Sequence, residues 1–548
     1  MYRQYRFLVP AGLTGLLLLG GLFLFTGGFA SPATANPAPG FEPSHGFILG
    51  QPGDAVTPVL ALDHASVLVG SEQDLYLLLH FDVPQPADTQ RPDRPPLNVA
   101  LVIDRSGSMS ETHKITHARA AALRFIDAMA PTDILGVVEY DDQISVLWPS
   151  VPLTSPETVK RLVAQLEPRG ATNLAGGLQR GLAEASRQAR SGSVNRVLLL
   201  SDGLANTGIT DPREIARFVR DARRQGLTVS TLGVGLGYNE DLMQAVAEVG
   251  GGNYYYVEDP GQMAAIFDQE LSTLATTVAQ DVRLRFRFGG AVHSLDVLGY
   301  EVARGGEGNS AEGDVTLENL YGGERRTVLC RLRVRADAPG RTPLGSIVLS
   351  YTDQRGNRPV SASAELVVDA TRSPEAVAAS LDRLAGAEAA LMTADEEHEQ
   401  YVRQYERGEK DAALANIGTL SQKLQQANAV FQDKRLEKKQ EHLQMESEEM
   451  RQADLNARNR QVYLKGSKER FYQSKRGSRG KYLLQEEDRG REVERLQTRL
   501  QELGLYSGAI DGAYDADVAR AVSEYQRNHG LEADGIAGPA TLKSLALY

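Results

Sequence analysis

From Pro96 to about Gln280, short apolar runs alternate with helical stretches. VALVI, ILGVVEY, RVLLL and TVSTLGVG are separated by THARAAALRFIDAM, PETVKRLVAQL and PREIARFVRDARRQG. Alternation of this kind requires parallel strands joined by crossover helices, hence a doubly wound α/β sheet covered on both faces. The strands of such a sheet point their C-terminal ends at one crevice, where these folds hold ligands.

The flanks read differently. PVLALDHASVLVG and DLYLLLHFDV before the α/β unit, and VRLRFRF, TVLCRLRV, GSIVLSYTD and ASAELVV after it, alternate with period two between Gly-rich turns, as strands of an antiparallel sandwich do. The strands before the unit are too few to form a stable sheet alone. They are therefore expected to pair with those after it, leaving the α/β domain inserted in a β-sandwich. The 548 residues divide into 1–30, a signal peptide or N-terminal membrane anchor; 31–54, a Pro-, Ala- and Gly-rich linker; 55–95 and 281–370, the two parts of the sandwich; and 96–280, the α/β domain. Next come 373–463, a helical hairpin broken at RGEKD (407–411); 464–488, a flexible basic linker; and 489–548, a small helical domain.

Three loops of the α/β unit carry oxygen. NVALVIDRSGSM ends a buried strand in Asp104, Ser106 and Ser108; SDGLANTG puts Asp202 after the strand RVLLL; GATNLAGGL sets Thr172 in a Gly-flanked loop that opens a helix. Two carboxylates and three hydroxyls suit Mg²⁺, with Mn²⁺ or Ca²⁺ as alternatives. Zinc would want His or Cys. Five such groups leave room for water or a ligand carboxylate.

These motifs resemble the metal-ion-dependent adhesion site of von Willebrand factor type A domains, complete at Asp104, Ser106, Ser108, Thr172 and Asp202. The resemblance covers about residues 96–280, including LGVG at 232–235 and the strand GGNYYYV. It implies direct ligation by Ser106, Ser108 and often Thr172, with Asp104 and Asp202 acting largely through water. A protein partner with an exposed Asp or Glu would take the open position. The sandwich strands on both sides, with LDVLGYE and LYGGERRTVLCRL, resemble those of bacterial secreted proteins related to inter-α-trypsin inhibitor heavy chains and calcium-activated chloride channels.

In the last sixty residues, Val493, Leu496, Leu500 and Leu503 have helical spacing, and Val518, Val522 and Tyr525 form a second stripe. With Asp511-Gly512, Asp534-Gly535 and the closing GPATLKSL, the segment is similar to the three-helix peptidoglycan-binding domain. YDADV (514–518) departs from that family's aromatic-Gly-Thr pattern and predicts a weakened first turn.

Arg3 and Arg6 precede an apolar stretch from Ala11 to Ala30, an export signal with a small-residue cleavage site at Ala33-Thr34-Ala35. The expected location is the periplasm, cell wall or extracellular face, with anchoring in the membrane if the segment is retained. A net charge of −12 argues against nucleic acid. Cys330 cannot pair within the chain and reads as a small buried hydrophobe. His113 and His117 stand four apart, but Lys114 takes the place of the glutamate in a zinc-protease motif. No catalytic set emerges. The sequence reads as a non-catalytic adhesion or scaffold protein of the bacterial envelope; the alternatives are a peptidoglycan-targeted enzyme or its associated factor, or a membrane-tethered assembly factor for an envelope complex.

Overall fold

The computed structural model describes residues 46–548 apart from 52, 85–94, 191, 305–310, 454–455, 476–482, 487, 489–490, 546 and 548. The N-terminal apolar segment, and with it the signal or anchor reading, lies outside the described residues. Among those described, no helix is long and apolar enough to cross a membrane.

The central sheet has six strands in the order Gly251–Val257, Leu227–Val234, Val194–Ser201, Leu97–Asp104, Ile134–Tyr140 and Ile144–Pro152. All neighbours are parallel except the last pair. That antiparallel edge strand is absent from the sequence reading. It follows a tight turn at Asp141–Gln143, where Asp141 N donates to Gln143 O, and its side chains are only half-buried, so no continuous apolar run marks it. Helices α1 (Lys114–Ala128), α2 (Pro156–Ala164) and α6 (Met263–Ala275) cover one face; α3 (Leu174–Arg187), α4 (Pro212–Arg224) and α5 (Glu240–Gly250) cover the other. Leu97–Asp104 is buried along its whole length, and each Val, Leu or Ile there contributes about 1.5–3 kcal/mol by burial.

The flanking strands form two five-stranded sheets around one core. Gln73–Asp82, which precedes the α/β domain, pairs antiparallel with Arg325–Val334, which follows it, from Asp82↔Arg325 to Gln73↔Val334. The insertion expected from the sequence is therefore present. Thr277–Phe288, the strand leaving the α/β domain, lies in the other sheet between Glu312–Tyr321 and Gly340–Asp353. Cys330 is a free, fully buried thiol in this core.

The hairpin expectation needs correction. After the short α7 (Pro374–Ala379) come four long helices, α8 (Arg383–Glu406), α9 (Lys410–Phe431), α10 (Lys434–Ala453) and α11 (Ala457–Lys475), sharing one core. The break at 407–409 is where RGEKD placed it. The break between α9 and α10 falls at Gln432, in the left-handed region at φ 55°, with no Gly or Pro to announce it.

The flexible-linker reading of 464–488 also fails for its first part, because α11 continues to Lys475. Its lysines meet the acidic start of α5: Lys465 Nζ lies 2.5 Å from Glu240 Oε2 and 4.0 Å from the Tyr238 ring centroid, and Lys468 Nζ lies 2.7 Å from Asp241 Oδ1. Opposite charge on a neighbouring domain orders a segment that in isolation reads as solvated. Tyr472, fully buried, donates to Gly252 O at 2.6 Å and completes the seam.

The C-terminal helices α12 (Arg491–Glu502), α13 (Ala516–Asn528) and α14 (Pro539–Ser544) enclose their own core. Two buried glutamines hold the two Asp-Gly turns in the same way. Gln497 Nε2 donates to Asp511 Oδ1 (2.8 Å) while Gly512 N donates to Gln497 Oε1 (2.9 Å); Gln526 repeats this with Asp534 (2.9 Å) and Gly535 (3.0 Å). YDADV leads from the first turn into α13. Asp515 caps α13 by accepting from Asp517 N and Val518 N, and Tyr514 is buried with its hydroxyl donating to Gly535 O at 2.8 Å.

Candidate metal centre

Asp104, Ser106, Thr172 and Asp202 are buried, and Ser108 is half-exposed, at the C-terminal rim of the sheet. The turn after the first strand closes on its own carboxylate: Ser106 N donates to Asp104 Oδ1 at 2.8 Å. Ser201 Oγ donates to Asp104 Oδ2 at 2.8 Å, and the Tyr140 hydroxyl lies 3.3 Å from the same oxygen. Burial pushes the Asp104 carboxyl up to about 6 against these hydrogen bonds.

Ser106 Oγ and Ser108 Oγ stand 3.2 Å apart, and Ser108 Oγ donates to Asp202 Oδ1 at 2.7 Å. A Cβ at Gly203 would lie 3.0 Å from Thr172 Oγ1 and 3.6 Å from Ser108 Oγ, so Gly203 leaves the space between these hydroxyls open. The five residues read from the sequence are thus brought together from three loops.

The loops are locked to one another by backbone and by one buried carboxylate. Gly107 N donates to Gly170 O (3.1 Å) and Arg169 N to Arg105 O (2.7 Å). Arg105 Nε and Arg169 Nε both donate to Asp141 Oδ2, at 3.0 and 2.8 Å. Although desolvation opposes it, the hydrogen bonds from Arg169 and Gln143 N hold the Asp141 carboxyl below its usual range. Thr172 N donates to Asn206 Oδ1 (2.9 Å), tying the second loop to the third.

Sequence reasoning missed Lys114. Its ammonium is buried 2.7 Å from Asp202 Oδ2 and 3.5 Å from Ser108 O. Its signal was the lysine shortly after DRSGSM, which drew notice only as the wrong residue between two histidines. Those histidines share no helix face, because His113 precedes α1 with φ 57°. Tyr140, Ser201 and Asp141 were also missed; each follows an apolar strand as an ordinary end residue.

The donors are all oxygen, hydroxyl or carboxylate, at mutual distances that a hard cation can span. No nitrogen or sulfur ligand faces them among the described residues named above. The set fits a divalent cation.

A family model of the von Willebrand factor type A domain matches residues 98–269. Residues 98–269 are a von Willebrand factor type A domain. A model of the peptidoglycan binding domain matches residues 489–545. The chain is 31% identical to the Escherichia coli protein YfbK over 216 residues, 39% of this chain and 38% of that protein. It is 32% identical to inter-α-trypsin inhibitor heavy chain H3 of Rattus norvegicus over 178 residues, 31% of this chain and 19% of the relative. The chain is 52% identical over 56 residues to the N-acetylmuramoyl-L-alanine amidase CwlM of Mycobacterium tuberculosis, 10% of this chain and 14% of that protein. Each match therefore spans well under half of the relative. The fold resembles a solved von Willebrand factor type A structure from Catenulispora acidiphila at 17% identity and a TM-score of 0.55, over 74% of this chain and 91% of that one. That coverage extends the likeness in fold beyond the A domain.

Proposed function

We propose that this protein is a non-catalytic adhesion or scaffold protein, exported to the bacterial envelope, with one attachment point at each end. At the A domain, Asp104, Ser106, Ser108, Thr172 and Asp202 hold Mg²⁺, and an acidic side chain of a partner protein completes the ion's shell. The observation that carries this reading is the all-oxygen cluster with Ser108 half-exposed at the rim and Gly203 keeping the approach clear. Leu204, 57% exposed beside Asp202, gives the partner an apolar contact next to the ion.

At the other end, the helical domain binds peptidoglycan, supported by its family match and the chain's likeness to part of an amidase. Two modules on one chain raise affinity when both engage together.

The test is capture of envelope proteins by the full-length chain in Mg²⁺, in chelator, and with Asp104→Ala, alongside co-sedimentation with purified peptidoglycan. A protein retained by the unaltered chain in Mg²⁺ and lost in the other two arms supports adhesion through the metal. Equal capture in all three sinks it, and absence of the chain from the peptidoglycan pellet sinks the wall-binding half.

A further inference from the structure

The helical bundle buries a second cluster of ligating atoms, far from the A domain's oxygens in chemistry. His398 projects from α8; His442 and Glu446, four residues apart, project from one face of α10. All three side chains are buried. His398 Nε2 lies 3.2 Å and His442 Nε2 lies 2.9 Å from Glu446 Oε2. Zinc bonds of about 2.0–2.1 Å to His nitrogen and carboxylate oxygen in a tetrahedron put ligand atoms about 3.3 Å apart. The two sides that meet at Glu446 Oε2 therefore stand within a few tenths of an ångström of zinc-ligand spacing, and all three ligand atoms lie within 4.8 Å of one another.

The surroundings hold these atoms in place. Glu446 Oε1 accepts from Ser467 Oγ (3.0 Å), Arg470 (3.0 Å) and Tyr463 OH (3.2 Å), which turns Oε2 towards the two imidazoles. Ligand carboxylates in metal sites are fixed by outer hydrogen bonds of this sort. His398 Nε2 is buried and meets Glu446 Oε2 without the geometry of a hydrogen bond. The Phe471 ring packs edge-on against His398 at 5.0 Å, closing one side to water.

We propose that His398, His442 and Glu446 form a zinc site that ties α8 to α10, with water as the fourth ligand. Lys439, paired with Asp395 at 2.6 Å, stands 3.3 Å from His398 Nδ1. With zinc on Nε2 the ring carries its hydrogen on Nδ1, so loading turns the Lys439 ammonium from that nitrogen towards Asp395.

The experiment uses the untagged full-length chain, stripped with chelator and dialysed against Zn²⁺ in excess Mg²⁺, so that the hard-oxygen site stays on Mg²⁺. One equivalent of zinc per chain is expected, with a higher thermal midpoint of the helical signal. Affinity should fall at least tenfold in His398→Asn and in Glu446→Gln. No zinc retained by the unaltered chain, or equal retention in both variants, overturns the site. Should the variants fail to fold, Co²⁺ on the unaltered chain decides: a tetrahedral absorption spectrum supports the site, and an octahedral one overturns it.

Discussion

Asp202 divides its carboxylate between two partners: Oδ2 meets the Lys114 ammonium at 2.7 Å, and Oδ1 accepts from Ser108 Oγ at the same distance. A buried lysine thus stands behind the proposed metal position and neutralises part of the charge that the ion would need.

Lys114→Met should therefore separate folding from metal binding. Removing one partner of a buried pair costs about 3–5 kcal/mol, so the variant should melt earlier than the parent in chelator. Mg²⁺ should then bind roughly tenfold more tightly, about 1.4 kcal/mol, and restore much of the lost stability. Calorimetric titration checks this; weaker Mg²⁺ binding would mean that Lys114 is needed to hold Asp202 in place.

Asp141 gives the loops a pH dependence. Its folded-state pKa is lowered, so its contribution is complete above the ordinary value of 3.8 and is lost as pH falls below it. Asp141→Asn removes charged hydrogen bonds to Arg105 and Arg169. The variant should be less stable at pH 7, and the gap should close as the parent is acidified below about 3.8. A gap of constant size across that range in thermal melts would argue against the clamp.

Gly203→Ala puts a methyl 3.0 Å from Thr172 Oγ1. Mg²⁺ affinity should drop by more than the metal-free melting temperature accounts for, since the methyl enters the space between the ligand hydroxyls. A full-affinity variant would place the ion elsewhere.

Gln526→Leu leaves Asp534 Oδ1 and Gly535 N without their glutamine partner in the second Asp-Gly turn. Unsatisfied buried polar groups cost about 1–3 kcal/mol. The expected result is a lower unfolding midpoint with reduced co-sedimentation with peptidoglycan. Unchanged stability would show that the turn is held by its backbone alone.

How much of this was legible beforehand depended on whether a residue's partners were near in sequence or declared by pattern. Asp104, Ser106 and Ser108 could be placed because a strand buried on both faces has to end in something, and three oxygens in a tight turn are a costly ending without a ligand. The insertion was legible because the strands before Pro96 were too few to make a stable sheet alone. Lys114 and Asp141 were not, since their meaning lies in contacts with residues 88 and 28 or 36 positions away. The course of α11 was hidden for the same reason: KGSKERFYQSK is indistinguishable from a solvated linker until Glu240 and Asp241 are set against it. His398 and His442 lay in a stretch whose charge suggested an outer face, yet that face is turned inward.

The way the A domain is mounted has a mechanical consequence. Its incoming chain follows the strand Gln73–Asp82 of one sandwich sheet, and its outgoing chain becomes Thr277–Phe288 of the other. Arg196, fully buried, adds a cross-tie to Tyr321 at 2.8 Å. A load applied at the metal rim is therefore shared between two ladders in different sheets, and tearing the A domain from its base requires both to give way. A domain appended by a single tether would instead peel from one end. Double rooting makes the sandwich a strain-bearing pedestal for the A domain.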